Sequence, residues 1–286
     1  PDVGRARKQL ETMLKPQVDA MLKAYPVDVA EEAIAGVPVR IVTPRGAAPD
    51  PKRVLINLHG GAFQTCWESC SLLESAPIAA SGGYKVVSVN YRMAPEARHP
   101  AGVEDFEKVY RSLLKSYDAK SVGVYGCSAG GALTAQAAAW ASEKSLPQPG
   151  AIGVFGAGAV RFMKGDSAYV AAYVDGSFPP PAKPGAPEID MTRGYFSGAD
   201  MSDRIISPAL HPDVITKFPP TLLITGTRAM DMSPAIVTNS ALIKAGVPST
   251  LIVGEAMGHC YIYLADLPEA RDARAAAIAF FKRNLK

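Results

Sequence analysis

The sequence has no long hydrophobic run and little excess charge, and each of these scarcities excludes a class of protein. Its longest stretch of apolar and small residues, 151–160, falls far short of the roughly 20 residues that a membrane-spanning helix needs. Lysine and arginine number 30 against 27 acidic residues, and the resulting net charge of +3 is scattered along the chain. This positive charge is too small and too scattered to indicate a surface that binds nucleic acid or a membrane. The sequence therefore predicts a protein with no nucleic-acid partner and no membrane partner.

Cysteine is also scarce. The four cysteines, Cys66, Cys70, Cys127 and Cys260, form no CxxC pair and have no histidine at metal-ligand spacing, so no metal site is predicted. The spacing of Cys66 and Cys70 suits neighbouring positions on one helical face. A disulfide is compatible with these residues, but no pattern indicates one. The compartment therefore stays open, with the cytoplasm favoured.

The 286 residues are 48% apolar and 20% charged, which is the composition of a soluble globular protein. It excludes disordered, coiled-coil and collagen-like architectures. The length is near the upper limit for a single hydrophobic core, so one large domain or two small ones fit it.

Short apolar runs rich in valine and isoleucine alternate along the chain with helical patterns. Six runs are predicted as strands buried on both faces: 53–58, 84–90, 121–125, 151–155, 221–225 and 250–253. Apolar periodicity and stop signals predict helices at 103–117, 129–144, 234–245 and 267–285. Alternating strands and helices predict an α/β fold with a mostly parallel central sheet flanked by helices.

Two segments break this alternation, and we predict that they form one cap over the sheet. Residues 1–30 have an amphipathic helical pattern and precede the first predicted strand. Residues 161–207 contain no clear strand and include a proline-rich run at 178–187, which cannot lie inside a sheet. Residues 31–160 and 208–286 are then the two parts of the core.

The segment Gly126 to Gly130 reads GCSAG and lies between a predicted strand and an alanine-rich helix. GxSxG in a strand–turn–helix context is typical of a serine nucleophile on a sharp, strained turn, where the two glycines let strand and helix approach closely. The alternative is a glycine-rich turn without chemistry. The context favours Ser128 as the candidate nucleophile.

A second glycine-rich loop, His59 to Phe63 (HGGAF), follows the predicted strand 53–58. Consecutive small residues after a strand can direct backbone N–H groups into a cavity. Together with the N–H of Ala129 they can stabilise the oxyanion of an acyl-transfer reaction. A plain glycine loop is the alternative, but HGG followed by GxSxG in this order favours the chemical interpretation.

These motifs, with YRMAPE at 91–96 and Ser207-Pro208 before a late strand, resemble the bacterial hormone-sensitive-lipase-like carboxylesterases. The resemblance runs from about residue 50 to the end of the chain and keeps the order and spacing of the motifs. It implies an α/β-hydrolase fold with a small helical cap, no cofactor, and hydrolysis of carboxylic esters with short to medium acyl chains. It also leaves a homodimer open, because some relatives dimerise through the last strand or the C-terminal helix.

The resemblance further assigns an oxyanion hole to the HGGAF loop. Gly61 and Ala62 inherit the oxyanion role by position, Gly60 is grouped with them, and Ala129 adds the N–H that follows the serine. Ala62 stands where the family has a third glycine. It retains a backbone N–H and adds a methyl group that can narrow the site.

Chain order selects the candidate base among four histidines. In this fold the order is serine, acid, histidine, which excludes His59 and His99. His211 precedes the predicted strand 221–225 and is interpreted as a surface loop residue. His259 follows the predicted strand 250–253, where a catalytic loop belongs, so it is the predicted base.

The candidate acid is displaced from its position in the family. That position falls on Ala229, whereas the sequence offers Asp231 two residues later in the same loop. A carboxylate shifted this far can still reach His259, so Asp231 is favoured. Two alternatives stay open: Asp231 caps the helix that follows, or Glu255 completes the triad instead.

Residues near the candidate site are assigned to the substrate pocket by position alone. They are Phe63, Cys127, Phe162, Tyr169, Tyr173 and Phe178. The cap is small and lacks an apolar stripe suited to lipid, which favours water-soluble esters over emulsions. Cys127 and Cys260 flank the candidate nucleophile and base, and we interpret them as small packing residues.

The predicted function is a serine carboxylesterase that acts on a small-molecule ester through an acyl-enzyme. Two alternatives remain. The same triad serves lactones, amides and thioesters. The second alternative is a ligand-binding protein on a hydrolase fold, like the plant gibberellin receptors. Those receptors lack the catalytic histidine, whereas Ser128 and His259 are both present here. Only the displaced acid favours pure binding.

Overall fold

The computed structural model describes residues 2–161, 165–175 and 190–286, and the strands of this part form one eight-stranded sheet. In chain order they are β1 Val27–Ile34, β2 Val37–Pro44, β3 Val54–Leu58, β4 Lys85–Val89, β5 Val122–Cys127, β6 Ala151–Phe155, β7 Thr221–Gly226 and β8 Ser249–Gly254. Their order across the sheet is β1-β2-β4-β3-β5-β6-β7-β8. The pairs β1/β2 and β2/β4 are antiparallel and the others parallel. The predicted α/β class is confirmed, and all six predicted strands are present. β8 lies at the edge of the sheet and is only partly buried, so the prediction that it is buried on both faces is wrong.

Helices cover both faces of the sheet. The helices of the described residues are α1 Val3–Ala24, α2 Trp67–Gly82, α3 Ala101–Leu113, α4 Ala129–Glu143, α5 Ser167–Asp175, α6 Pro212–Ile215, α7 Met232–Lys244 and α8 Pro268–Asn284. One buried apolar cluster joins the sheet to α3, α4, α6 and α7, and a second joins it to α1, α2 and α8. Coverage on both faces explains why the central strands are mostly apolar on both sides instead of alternating between apolar and polar residues.

The elements with no counterpart in the sequence analysis include β1, β2 and α2. Every residue of β1 between its two ends is exposed, so the strand lacks the apolar run of a buried one. β2 carries two prolines and an arginine. α2 is buried on nearly all sides, and its buried residues include serines and Glu74, so it has no amphipathic stripe. The signals used to find strands and helices are absent at all three positions.

The predicted boundary at residue 30, between the N-terminal cap segment and the core, needs correction. α1 ends at Ala24 and β1 begins at Val27, so a boundary at residue 30 falls inside the first strand. Val18 and Met21 of α1 are buried in the same cluster as α2 and α8, which makes the second half of this helix part of the core. The region predicted as the second cap piece holds α5 and the turns of 190–206, with no strand in its described residues.

The carboxyl ends of the parallel strands meet at one edge of the sheet. Asn57 of β3 is aligned with Tyr125 of β5, and Thr225 of β7 is aligned with Val253 of β8. The loops that leave these strands therefore project from the same edge, where open α/β sheets bind their ligands. They carry the HGGAF loop, Ser128, Asp231 and His259.

Candidate active site

Ser128 lies on a tight turn between β5 and α4. Its backbone has φ 60° and ψ −124°, which is strained for a residue with a side chain. A Cβ on Gly126 or on Gly130 would approach the carbonyl oxygen of Leu58 to 2.0 or 1.8 Å. Glycine is therefore required at both positions for the turn to pack against β3, and the partly exposed Ser128 side chain stands at the sheet edge.

Three side chains form a continuous hydrogen-bonded line. His259 Nε2 lies 2.9 Å from Ser128 Oγ, and His259 Nδ1 lies 2.5 Å from Asp231 Oδ1. Asp231 is fully buried, and its Oδ2 accepts a hydrogen bond of 2.6 Å from Thr225 Oγ1. A carboxylate held in this way keeps the proton of the imidazole on Nδ1, so that Nε2 can accept the proton of the serine hydroxyl.

Two alternatives were open for the acid: that Asp231 only caps α7, and that Glu255 contacts His259 instead. Asp231 occupies the N-cap position of α7, yet its side chain makes no capping hydrogen bond to that helix. Glu255 lies in an exposed turn after β8. The carboxylate against His259 Nδ1 is therefore the displaced Asp231, which removes the one observation that favoured a binding protein without catalysis.

Three backbone N–H groups are available beside Ser128. Gly61 has φ 114°, and a Cβ there would lie 2.0 Å from the Thr65 carbonyl oxygen, so this loop conformation requires glycine. Within the described residues, no acceptor pairs with the N–H of Gly61 or of Ala62. Ala129 is the first residue of α4, so its N–H has no partner within the helix. Ala62, Ala129 and Ser128 line the same cavity.

The prediction that Gly60 belongs to the oxyanion hole is wrong. The Gly60 N–H donates a hydrogen bond of 2.9 Å to Oε1 of Glu74, a buried side chain on α2. A donor that is already paired inside the protein is not available to an oxyanion. Gly60 instead anchors the start of the HGGAF loop.

Glu74 connects the loops around the site, and the sequence analysis did not single it out. Besides Gly60, its Oε1 accepts from the Tyr263 hydroxyl at 2.6 Å. Its Oε2 accepts from Asn57 Nδ2 at 2.7 Å and from the Cys127 N–H at 3.2 Å. Burial raises the pKa of Glu74 to about 7, although four donors favour its charged form. An acidic residue inside a helix of small and apolar residues was the only available signal.

A cavity of about 340 Å³ opens beside Ser128. Phe63 lines it, as the sequence analysis expected. Most of its wall comes from residues that sequence reasoning missed, including Ala132, Gln136, Val160, Met191, Phe196, Met201 and Ile206. The residues between 190 and 206 have no regular periodicity, so nothing in the sequence indicated which of them would face the serine.

The other pocket assignments fail or cannot be placed. Tyr169 and Tyr173 lie on α5, are 40% and 76% exposed, and do not line the cavity. Cys127 is fully buried and does not line it either. Phe162 and Phe178 lie outside the described residues.

The four cysteines are paired in two disulfides. The interpretation of Cys127 and Cys260 as separate packing residues is therefore wrong, and the disulfide that the sequence left open for Cys66 and Cys70 is present. Cys127 is bonded to Cys260, which joins the residue before Ser128 to the residue after His259. Cys66 is bonded to Cys70 at the start of α2. The sequence separation of 133 between Cys127 and Cys260 gives no indication of pairing, because only the fold brings β5 next to the His259 loop.

Removing the Cys127–Cys260 disulfide is expected to destabilise the protein strongly. The bond restricts a loop of 133 residues in the unfolded chain. The chain-entropy relation predicts that its removal lowers the free energy of unfolding by about 4–5 kcal/mol. Urea unfolding of the Cys127→Ala/Cys260→Ala double variant measures this loss. Cys66→Ala/Cys70→Ala is the matched control, because its loop spans a separation of only 4, for which the same relation gives about 2 kcal/mol. Equal losses in the two variants would contradict the expectation.

The other three histidines make structural contacts. His59 is fully buried, and burial lowers its pKa to about 4, so it is neutral near pH 7. Its Nδ1 lies 2.7 Å from the Gly60 carbonyl oxygen, and His211 Nε2 lies 2.7 Å from the Ser202 carbonyl oxygen. His99 is partly buried against Phe196. In the described ranges, no group of three histidine, cysteine or acidic residues could hold a metal ion.

Known proteins resemble this chain in sequence and in fold. A family model described as the alpha/beta hydrolase fold matches residues 55–263. An acetyl-hydrolase of Streptomyces hygroscopicus is 29% identical over 80% of this chain and 75% of its own length. Carboxylesterase NlhH of Mycobacterium tuberculosis is 28% identical over 99% of this chain and 89% of its own. The crystal structure of an esterase, E25, superposes with a TM-score of 0.85 at 30% identity, covering 100% of this chain and 88% of that one.

Proposed function

Because the chain belongs to the alpha/beta hydrolase fold family, we propose that it hydrolyses short to medium acyl-chain carboxylic esters through a serine–histidine–aspartate triad. One observation carries this proposal. The hydrogen-bonded line from Ser128 Oγ through His259 to Asp231 stands beside three available N–H donors at the mouth of a cavity. Relatives named acetyl-hydrolase and carboxylesterase support the same reaction.

The first half of the reaction forms an acyl-enzyme. His259 Nε2 removes the proton of the Ser128 hydroxyl while Oγ attacks the ester carbonyl carbon. The negative charge that develops on the carbonyl oxygen is stabilised by the N–H groups of Gly61, Ala62 and Ala129. The protonated His259 then gives its proton to the departing alcohol. A bond between the acyl carbon and Ser128 Oγ replaces the ester bond.

The second half returns the enzyme to its starting state. Water takes the place of the alcohol, and His259 removes its proton as the water oxygen attacks the acyl carbon. The proton then passes to Ser128 Oγ as the acid leaves. Asp231 stabilises the charged imidazolium in both halves, and the hydrogen bond from Thr225 keeps its carboxylate in the required orientation.

We expect kcat/KM for p-nitrophenyl esters to rise from acetate to a maximum between butyrate and hexanoate, and to fall at laurate. Each methylene that reaches the apolar cavity wall contributes up to about 0.8 kcal/mol, or roughly fourfold, until the cavity is filled. The cavity volume of about 340 Å³ is near the lower end for ligand sites. Initial rates across the series measure the profile. A maximum at laurate or longer chains would contradict the assigned chain length.

No described helix is long and apolar enough to cross a membrane. The disulfides bear on where the protein works. Disulfides persist mainly in oxidising compartments, and two of them are present here, one beside the candidate triad. We therefore favour an oxidising compartment over the cytoplasm that the sequence analysis favoured. Dimer formation remains a prediction, tested by the mass of the protein in solution.

A further inference from the structure

One face of α4 forms a wall of the cavity beside Ser128. Ala129, Ala132 and Gln136 all line the cavity, and their spacing of three and four residues places them on one stripe of the helix. At a rise of 1.5 Å per residue, Gln136 lies about 10 Å along the helix from Ala129. The cavity therefore extends from the candidate oxyanion hole along α4 as far as Gln136.

Gln136 differs from the rest of this stripe because its side chain is polar and almost entirely buried. The residue is 2% exposed, and its Oε1 has no hydrogen-bond partner in the part of the chain that the structure describes. No described residue hydrogen-bonds to its Nε2 either. Gln148, by contrast, donates from Nε2 to Ala138 O and Ser142 Oγ. Buried amides nearly always have partners, because an unpaired one loses the hydrogen bonds it made in water.

The rest of the cavity does not supply the missing partner. Its described wall is largely apolar, with side chains such as Val160, Phe196, Met201 and Ile206. Arg161, Asp190, Thr192 and Ser197 also line the cavity, but none of them hydrogen-bonds to Gln136. The Asp190 carboxylate already accepts hydrogen bonds from the N–H groups of Thr192 and Gly194. Gln136 is thus a buried amide without a partner among the described residues, and it faces a cavity whose wall is mainly apolar.

The geometry of the triad indicates which part of an ester enters this space. The departing alcohol must lie next to His259 Nε2, which protonates it. Among the described residues, Ser128 and Ala129 line the cavity and His259 does not. The alcohol therefore leaves on the His259 side, and the acyl chain extends along α4 towards Gln136.

We propose that Gln136 forms a polar subsite at the far end of the acyl pocket, which recognises a hydroxyl or carbonyl group on the acyl chain. This inference rests on the proposed ester hydrolysis and specifies its substrate class: esters of hydroxy- or oxo-acids of medium length. An amide can donate and accept, so either group satisfies it. A plain alkyl chain of the same length fills the cavity but leaves the amide unpaired.

The test compares matched pairs of p-nitrophenyl esters. Each pair consists of an omega-hydroxyacyl ester, from hydroxyhexanoyl to hydroxydecanoyl, and the alkyl ester in which a methyl group replaces the hydroxyl. We expect the wild type to prefer the hydroxyacyl ester at one chain length by about tenfold in kcat/KM, the equivalent of one hydrogen bond. Gln136→Met keeps the length of the side chain without the amide, and we expect it to lose that preference.

Two controls separate recognition from structure. Gln136→Met should melt at the same or a higher temperature, because it removes a buried group without a partner. Gln148→Met should melt lower, because it breaks two hydrogen bonds, and should keep the wild-type preference. If the preference is absent in the wild type at every length, or is unchanged in Gln136→Met, the subsite is disproved.

Failure of the subsite and failure of the proposed function give different results. Absence of turnover of p-nitrophenyl butyrate by the wild type counts against ester hydrolysis. In either case, calorimetric titration of the omega-hydroxy acids into Ser128→Ala, and into Ser128→Ala/Gln136→Met, tests the subsite without turnover. Tighter binding to the first variant by about tenfold supports the subsite, and equal binding overturns it.

Discussion

Replacing Ser128 with alanine is expected to lower kcat for p-nitrophenyl butyrate by about 10⁶-fold. The change removes the oxygen that attacks the ester and forms the acyl-enzyme. The N–H donors of Gly61, Ala62 and Ala129 remain, so the residual rate should be that of a bound ester attacked directly by water. Steady-state kinetics at saturating substrate measures the loss.

The fold should survive this substitution. Ser128 has φ 60°, and alanine carries the same Cβ as serine, so the strain of the turn is unchanged. Glycine would relieve that strain and would mix a stability effect into the result. The melting temperature of Ser128→Ala should therefore stay close to that of the wild type.

Ser197→Ala is the matched control for this prediction. Ser197 lines the same cavity and is exposed, but its side chain makes no hydrogen bond to His259. Its removal should change kcat by less than about twofold. A folded Ser128→Ala protein that retains most of the wild-type rate would show that another group attacks the ester.

The sheet was largely predictable from sequence because its central strands are buried on both faces. An uninterrupted apolar run such as Ala151–Phe155 has few structural explanations other than a parallel strand covered by helices. The edge strand β1 has almost no buried side chain, and its pairing with β2 carries no signal in either sequence alone. α2 could not be found by periodicity because its buried residues surround the helix.

The candidate site was predictable wherever a local constraint acted on the chain. Ser128 needs glycines at fixed offsets, and that requirement is visible in the sequence. The paired N–H of Gly60 was not visible, because its acceptor, Glu74, comes from a helix that had no sequence signal. The Cys127–Cys260 bond and the cavity wall around Gln136 likewise depend on contacts between segments distant in sequence.

Asp231→Asn is expected to lower kcat by about 10⁴-fold while leaving KM within a few-fold of the wild type. Asp231 Oδ1 lies 2.5 Å from His259 Nδ1 and holds the proton on that nitrogen. An asparagine that donates from its amide to Nδ1 would favour the opposite tautomer, with the proton on Nε2. His259 could then no longer accept the proton of the Ser128 hydroxyl. Kinetics with p-nitrophenyl butyrate near pH 7 measures the effect.

Glu255→Gln is the control that decides between the two acids of this region. Glu255 lies in an exposed turn, and its neutralisation should leave kcat close to that of the wild type. If Glu255→Gln loses the activity and Asp231→Asn keeps it, the acid is reassigned and Asp231 becomes a buried structural residue. If only Asp231→Asn loses its activity, the acid of the triad is a carboxylate two residues away from the position it has in the family. The requirement is then contact with Nδ1, supported by Thr225, and the position of the acid within its loop is free to vary.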